Sequence, residues 1–389
     1  MRSPLFLTKL PLIREPAFSD AGLPGVQPPI IHLRCRREYQ RDALQEGINV
    51  NTQLPVGVIG LGRMGRIYAE HLARDISQSR LVGVADVIDE RARTLAENLE
   101  VEFWSTDYRE VLDNKKIRAV FVTSPTSTHR EVVSAAAQAG KAIFCEKPIA
   151  LTLEDTDTML DIIAKTGAMF QAGFMRRFDT GYIKAKENIQ AGVIGKPVTF
   201  KSIGRDPFCP DLEYAKPSVS GGLILDMAIH DFDLGRWLMN DEVKRVYTEG
   251  GTLAFPQLDT VGDIDNAVVN LRFESGALGN VEVSRNALYG YDIRTEILGT
   301  EGGLQIGYYR QTPLLVMTRE GIGHDMVPYI VQRFGDAYRA QSQDFVQRVL
   351  NDQEPAVDGH DARAALEIGI AATRSYKEAR PVELSEYHR

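Results

Sequence analysis

Cysteine is scarce in this chain. There are three in 389 residues, Cys35, Cys145 and Cys209, scattered and odd in number. That excludes a disulfide framework and a thiolate zinc cluster, and it suits a reducing compartment such as the cytoplasm. No apolar run is long enough to cross a bilayer. An excess of positive charge is also missing: 45 Lys and Arg stand against 53 Asp and Glu, a net charge of -8. This balance argues against bulk nucleic-acid binding and against docking on an anionic membrane. What is present, 43% hydrophobic and 25% charged residues, is the composition of a soluble globular protein with room for two domains.

Residues 1–53 show no sustained period and hold six of the 18 prolines. They lack the apolar core and small-residue cleavage site of a secretory signal. With Glu15, Asp20, Glu38, Asp42 and Glu46 they are too acidic for a mitochondrial presequence. A poorly ordered extension is expected there, followed by one domain over 54–175 and a second over 176–389.

The first domain opens with a buried strand, Pro55 to Ile59, that feeds Gly60-Leu-Gly62-Arg63-Met64-Gly65. Glycines at these three positions permit a tight turn and bring backbone N–H groups to a pyrophosphate, and the helix after the loop points its N-terminus at the same charge. The next strand ends at Asp86, 21 residues past Gly65, where a carboxylate accepts from a ribose 2′-hydroxyl and repels a 2′-phosphate. NAD is therefore expected over NADP, with nearby Arg91 the residue able to soften that preference. The alternation continues: a strand over 118–123 ends in Ser124, Thr126 and His129, and a strand over 141–145 ends in Glu146-Lys147-Pro148. Ligands in such sheets bind at the carboxyl ends of the strands, so these residues fall where a nicotinamide would lie.

Residues 221–233 read as a helix with three polar groups on one face. Asp226 and His230 are four apart, and His230 and Asp233 three apart. A carboxylate beside an imidazole suits proton transfer near neutral pH. A helix cap or solvated face is the plainer alternative for these acids. A metal site from Asp226, His230 and Asp233 would need a fourth strong ligand, and none is evident.

The glycine loop, Cys145-Glu-Lys-Pro148, Gly173-Phe-Met-Arg-Arg-Phe178, the stretch 221–233 and Tyr289-Gly-Tyr-Asp292 together resemble the Gfo/Idh/MocA oxidoreductases, and within them the inositol 2-dehydrogenases. The resemblance spans residue 55 to the C-terminus. It implies an α/β protein with a Rossmann domain and a second α/β domain built on a large, mostly antiparallel sheet. The last helix would pack back on the first domain, and tetramers or dimers would form through the open face of the sheet. It also implies NAD, a small polyol or sugar substrate, and no metal. By this resemblance His230 is the base, Asp226 orients and polarises it, and Lys147 bonds the reacting oxygen. Arg177, Asp233 and Tyr291 would contact ring hydroxyls. Gly60, Gly62, Arg63, Met64, Gly65, Asp86, Ser124, Thr126, His129, Glu146 and Lys147 would line the cofactor. The pH profile is expected to rise through a group near neutrality.

One departure bears on the substrate. Family members that prefer myo-inositol can carry His, a basic residue and Asn on the strand before the Gly pair, where this chain has Gly204-Arg205-Asp206-Pro207. Another inositol, a pyranose or an anhydrosugar would suit the same chemistry. A non-catalytic dinucleotide-binding sensor on this fold would tend to lack the lysine or the histidine, and both are present.

Overall fold

The structure, a computed structural model, describes residues 53–387. All of the expected N-terminal extension but Gln53 lies outside the described residues. Six short, largely apolar runs form strands, and the central ones are buried on both faces, as a parallel sheet requires. They are β1 (Leu54–Ile59), β2 (Ser79–Ala85), β3 (Phe103–Ser105), β4 (Ala119–Val122), β5 (Ala142–Glu146) and β6 (Phe170–Gly173), in the order β3-β2-β1-β4-β5-β6. Strand order reverses between β1 and β4, which opens a crevice beyond their carboxyl ends. The connecting helices are α1 (Arg63–Glu70), α2 (Asp89–Leu99), α3 (Tyr108–Asp113), α4 (Thr126–Gln138) and α5 (Leu153–Thr166). Local chemistry fixes their ends. Asp155 N–H donates to the Thr152 hydroxyl at the start of α5, and Gly167 closes it in the left-handed region at φ 67°.

A single turn, Met175–Phe178, leads through α6 (Thr180–Gln190) into β7 (Pro197–Arg205). Two short helices, α7 (Leu212–Ala215) and α8 (Pro217–Ser220), precede a π-turn, Ile224–Ala228, that runs directly into α9 (Ile229–Met239). The second sheet is completed by β8 (Val243–Gly251), β9 (Asn266–Phe273), β10 (Leu278–Ser284), β11 (Asp292–Gly299) and β12 (Gly303–Ile306). A small ribbon of β13 (Val316–Thr318) and β14 (Gly321–Gly323) comes next, then α10 (Ile330–Leu350), α11 (Gly359–Glu378) and β15 (Val382–Glu383). The order is β12-β11-β7-β10-β9-β8-β15, and only β7 and β10 run parallel. The expected mostly antiparallel sheet is therefore present.

β9 explains the layering. Ala267, Val269, Leu271 and Phe273 are buried, while Val268, Asn270 and Arg272 are exposed, so one face packs and the other stays open. α9 covers the packed face, and α11 lies across α9 and β8 and reaches α5 of the first half. α10 returns to the first sheet, where Phe345 meets Phe121 edge-on at 5.2 Å and Tyr338 meets Tyr68 edge-on at 5.9 Å. These contacts hold the two halves as walls of one cleft, with the carboxyl ends of β1, β4 and β5 facing the π-turn.

Candidate active site

The glycine loop has the shape a dinucleotide needs. Gly60 sits at φ 90°, and a Cβ there would fall 2.4 Å from the backbone of Ser124. At Gly65 a Cβ would come within 1.9 Å of the Gly60 carbonyl oxygen, so helix and strand approach this closely only without side chains. Around Gly62 there is open space, and no side chain caps the first turn of α1. The uncapped N–H groups and the empty space before them fit a phosphate. Asp86 is buried beside the loop: its Oδ2 accepts from Leu61 N–H at 2.7 Å and its Oδ1 from Ile88 N–H at 3.0 Å, with Arg91 Nη1 at 3.2 Å. Arg63 leaves the loop and crosses the cleft, donating to the Tyr329 hydroxyl at 3.0 Å. Met64 is half-buried against the core.

The strand-end loops supply the next wall. Ser124 Oγ lies 2.7 Å from Thr128 Oγ1, and Thr126 is half-buried at the first residue of α4. His129 is buried, with its ring nitrogens 2.8 Å from the Ser124 carbonyl oxygen and 3.0 Å from that of Pro148. It ties together the loops after β4 and β5, and burial holds its pKa below the usual histidine value. Glu146 accepts from the Tyr68 hydroxyl and from Lys147 N–H, and Gln341 of α10 donates to the same Tyr68 oxygen. Burial raises the Glu146 carboxyl above its usual range. The Lys147–Pro148 peptide is cis.

Lys147 reaches from the end of β5 to the π-turn. Its Nζ donates to the Asp226 backbone oxygen at 2.7 Å and to Oδ1 at 3.3 Å. Tyr214 of α7 donates to the same Oδ1 at 2.8 Å, and Arg285 Nη2 lies 3.5 Å from Oδ2. Burial opposes ionisation of Asp226, but Lys147 and Arg285 outweigh it and leave the carboxyl below its ordinary pKa. His230 is buried, edge-on to Phe174 at 5.9 Å, and its Nδ1 has no partner among the described residues.

Two expectations are corrected here. Asp226 accepts from Lys147 and Tyr214, with Arg285 3.5 Å from its other oxygen, and none of these hydrogen bonds comes from His230. Nor is His230 poised near neutrality. Burial, then Lys147 and Arg176, push its pKa well below the ordinary value, so the imidazole is neutral at pH 7.

The two arginines of the Met175–Phe178 turn diverge. Arg176 Nη1 donates to Asp231 Oδ1 at 2.6 Å, an oxygen that also accepts from Ser202 at 2.5 Å. This buried pair lies beside Gly204, where a Cβ would be 3.4 Å from Asp231 Oδ2 and 3.9 Å from Arg176 Nη2. Arg177 forms a fork on Asp233, at 2.9 and 2.6 Å, and donates to Asp361 at 3.0 Å, with its guanidinium over Trp237. The structure thus gives Arg177 and Asp233 to each other and to α11, and none of their hydrogen bonds reaches Lys147, Asp226 or His230. Tyr291 is buried beside Tyr329, with ring centroids 5.4 Å apart.

Asp206 was not singled out from sequence. It lies just after β7, its carboxyl has no hydrogen-bond partner among the described residues, and burial together with Asp226 raises its pKa to about 6. Arg285, Asp263, Tyr214 and Tyr329 were also missed. They meet only in three dimensions, although an acid before Pro207 at a strand end was a usable signal for Asp206.

A dinucleotide cradle and a lysine at the strand ends of a parallel sheet, facing a carboxylate and a histidine of a second sheet domain, define a two-domain nicotinamide-linked oxidoreductase. The chain belongs to the Gfo/Idh/MocA family: residues 54–174 match its NAD-binding Rossmann fold and residues 186–384 its C-terminal alpha/beta domain. Among curated relatives it is 41% identical to the scyllo-inositol 2-dehydrogenase (NAD(+)) of Bacillus subtilis, over 85% of this chain and 96% of that one. It is also 41% identical to the myo-inositol 2-dehydrogenase of Thermotoga maritima, over 85% and 98%. Among solved structures, scyllo-inositol dehydrogenase from Lactobacillus casei with bound NAD(H) and scyllo-inositol is 32% identical. It superposes with a TM-score of 0.82 over 86% of this chain and 100% of that one.

Proposed function

We propose that the protein is an NAD-dependent dehydrogenase that oxidises a ring hydroxyl of a cyclic polyol, an inositol, to the ketone. The observation that carries this reading is the cluster in which Lys147 clasps Asp226 close to a histidine kept neutral by burial. The glycine cradle and Asp86 support NAD as the cofactor, which when bound supplies the hydride acceptor. Two N–H groups of Lys147 are held by Asp226, which leaves the third for the substrate oxygen, where negative charge develops. His230 takes the hydroxyl proton as the carbon-bound hydrogen leaves as hydride, and only a neutral imidazole can do this. Tyr291 and Asp206, beside this cluster, offer a hydroxyl and a carboxyl to the ring. Arg177 and Asp233 then shape the wall behind them. Oligomers through the open face of the second sheet, as homotetramer or homodimer, and a place in the cytoplasm complete the proposal. Among the described residues no helix is long and apolar enough to cross a membrane.

The test is NADH formation with myo-inositol, scyllo-inositol, D-chiro-inositol, glucose and levoglucosan in parallel, with NAD and with NADP. Turnover of an inositol with NAD is the expected result. Turnover of a sugar alone would move the chain to another substrate class on the same machinery. No turnover with NAD binding intact would favour a sensor, and higher efficiency with NADP would refute the role of Asp86.

A further inference from the structure

Arg285, just beyond β10, is 2% exposed and is among the largest fully buried side chains of the molecule. Its Nη1 donates to Asp263 Oδ2 at 2.7 Å, and its Nη2 lies 3.5 Å from Asp226 Oδ2. Asp263, 5% exposed, uses its other oxygen to accept from Leu223 N–H at 2.8 Å, the residue just before the π-turn. Asp263 approaches so closely only because residue 222 is glycine; a Cβ there would lie 2.7 Å from Oδ1. One acid therefore holds the residue just before the turn, and one cation joins that acid to the carboxylate the turn carries. With Tyr214 and Lys147 on Oδ1, Asp226 is held from both sides.

We infer that Arg285, braced by Asp263, is a positioning residue that keeps Asp226 ionised and fixed so that Lys147 is presented to the substrate oxygen. This rests on the role proposed above for Lys147. The groups facing Asp226 come from every surrounding element: Lys147 after β5, Tyr214 from α7, Asp263 before β9 and Asp206 after β7. Arg63 of the glycine loop and Tyr329 complete the set. Asp206 matters most among them, because it is a like charge that Arg285 helps to offset. Without Arg285, two neighbouring carboxyls depend on Lys147 and Arg63, and the pair binds a proton more tightly. A protonated Asp226 is a weaker partner for Lys147, whose ammonium then loses its fixed position.

The test uses the whole enzyme as R285Q, R285K, D263N and the double variant D263N/R285Q. The double variant removes the buried pair together, so that no unpaired charge remains if R285Q alone folds poorly. Carboxyl titrations followed by carbon NMR, with Asp226 and Asp206 resonances assigned from D226N and D206N, read the charge directly and need no turnover. In R285Q the Asp226–Asp206 pair is expected to bind its proton at least tenfold more tightly, consistent with shifts of about one to three units for an opposite charge nearby, and in the double variant by less, because the like charge of Asp263 leaves with the cation. Turnover is expected to fall at least tenfold, with KM for NAD within twofold. The acid limb of the pH profile should move up, and R285K should restore its position. Unchanged carboxyl titrations in R285Q would overturn the inference, and so would titrations in D263N/R285Q that match those of D263N alone. So would a loss of turnover with an unmoved acid limb, which marks a structural role only. If the wild type oxidises no polyol, the functional reading fails, and the carboxyl titrations still decide whether Arg285 holds Asp226 ionised.

Discussion

Replacing Lys147 with alanine removes three N–H donors at once. Two are on Asp226, at 2.7 Å to the backbone oxygen and 3.3 Å to Oδ1. The third is the one offered to the reacting oxygen. Losing one preorganised donor at a developing oxyanion lowers turnover by about 10²–10³-fold. The fold should survive, because Asp226 keeps Tyr214 at 2.8 Å and Arg285 at 3.5 Å. Lys147 and Asp226 side chains are each 16% exposed, so breaking this pair costs less than the about 3–5 kcal/mol of a fully buried one. K147A is therefore expected to fold, to bind NAD as the wild type does, and to lose about 10²–10³ in kcat, with a smaller change in the polyol KM. NADH absorbance gives kcat, calorimetry gives NAD affinity, and thermal unfolding checks the fold. K147R separates charge from geometry: it keeps a cation near Asp226 but not the compact ammonium, and should recover little turnover. A folded, NAD-binding K147A with kcat within about tenfold of wild type would refute the reasoning.

In the proposed mechanism the pH profile is set by His230. Its pKa in the folded protein is depressed, so the neutral base is retained as pH falls below about 6.5, and the acid limb of kcat/KM lies under that value. Lys147 contributes to this depression, so the limb moves up in K147A; a wild-type limb above neutrality would exclude His230 as the titrating base. The same histidine affects stability. Below about pH 6.5 the unfolded chain takes a proton that the buried ring refuses, so stability is complete above that pH and is lost as pH falls toward the lower folded value. Urea midpoints for wild type and H230Q at pH 7 and pH 5 would reveal it as a shallower acid loss in the variant. R177L leaves Asp233 buried without its fork, which should cost about 3–5 kcal/mol by denaturant unfolding. If R177L loses polyol binding with full stability, Arg177 faces the substrate after all. G65A places a Cβ 1.9 Å from the Gly60 oxygen, so NAD affinity should fall at least about a hundredfold, and near-normal affinity would show that the loop can open.

The layers of the fold were legible because each rests on a local rule. Short, β-branched apolar runs such as Ala119 to Val122 read as strands buried on both faces, and the alternation from Asn266 to Phe273 reads as a strand with one open face. The glycine loop was readable for the same reason: strand, turn and helix are contiguous, so the motif and its context arrive together. The contacts within the site were not readable this way. Arg177 and Asp233 lie 56 positions apart, and nothing local says that they satisfy each other before they satisfy a ligand. Arg285, Asp263 and Asp226 come from three separate elements and meet only through tertiary packing.

The misread spacing from Asp226 to His230 carries the most chemistry. A regular helix would have stacked the acid on the imidazole, stabilised the imidazolium and moved the base toward neutrality. In the folded chain the hydrogen bonds of Asp226 come from Lys147, Tyr214 and Arg285, and none comes from His230. Asp226 acquires cations on both oxygens and stays ionised, while His230 acquires a desolvated setting near Lys147 and Arg176 and stays neutral. Two residues four apart are thereby tuned in opposite senses, one to anchor a lysine and one to accept a proton. In the proposed mechanism a single segment thus supplies both functions, and the glycine ahead of it gives Asp263 room to accept from Leu223 N–H just before the π-turn.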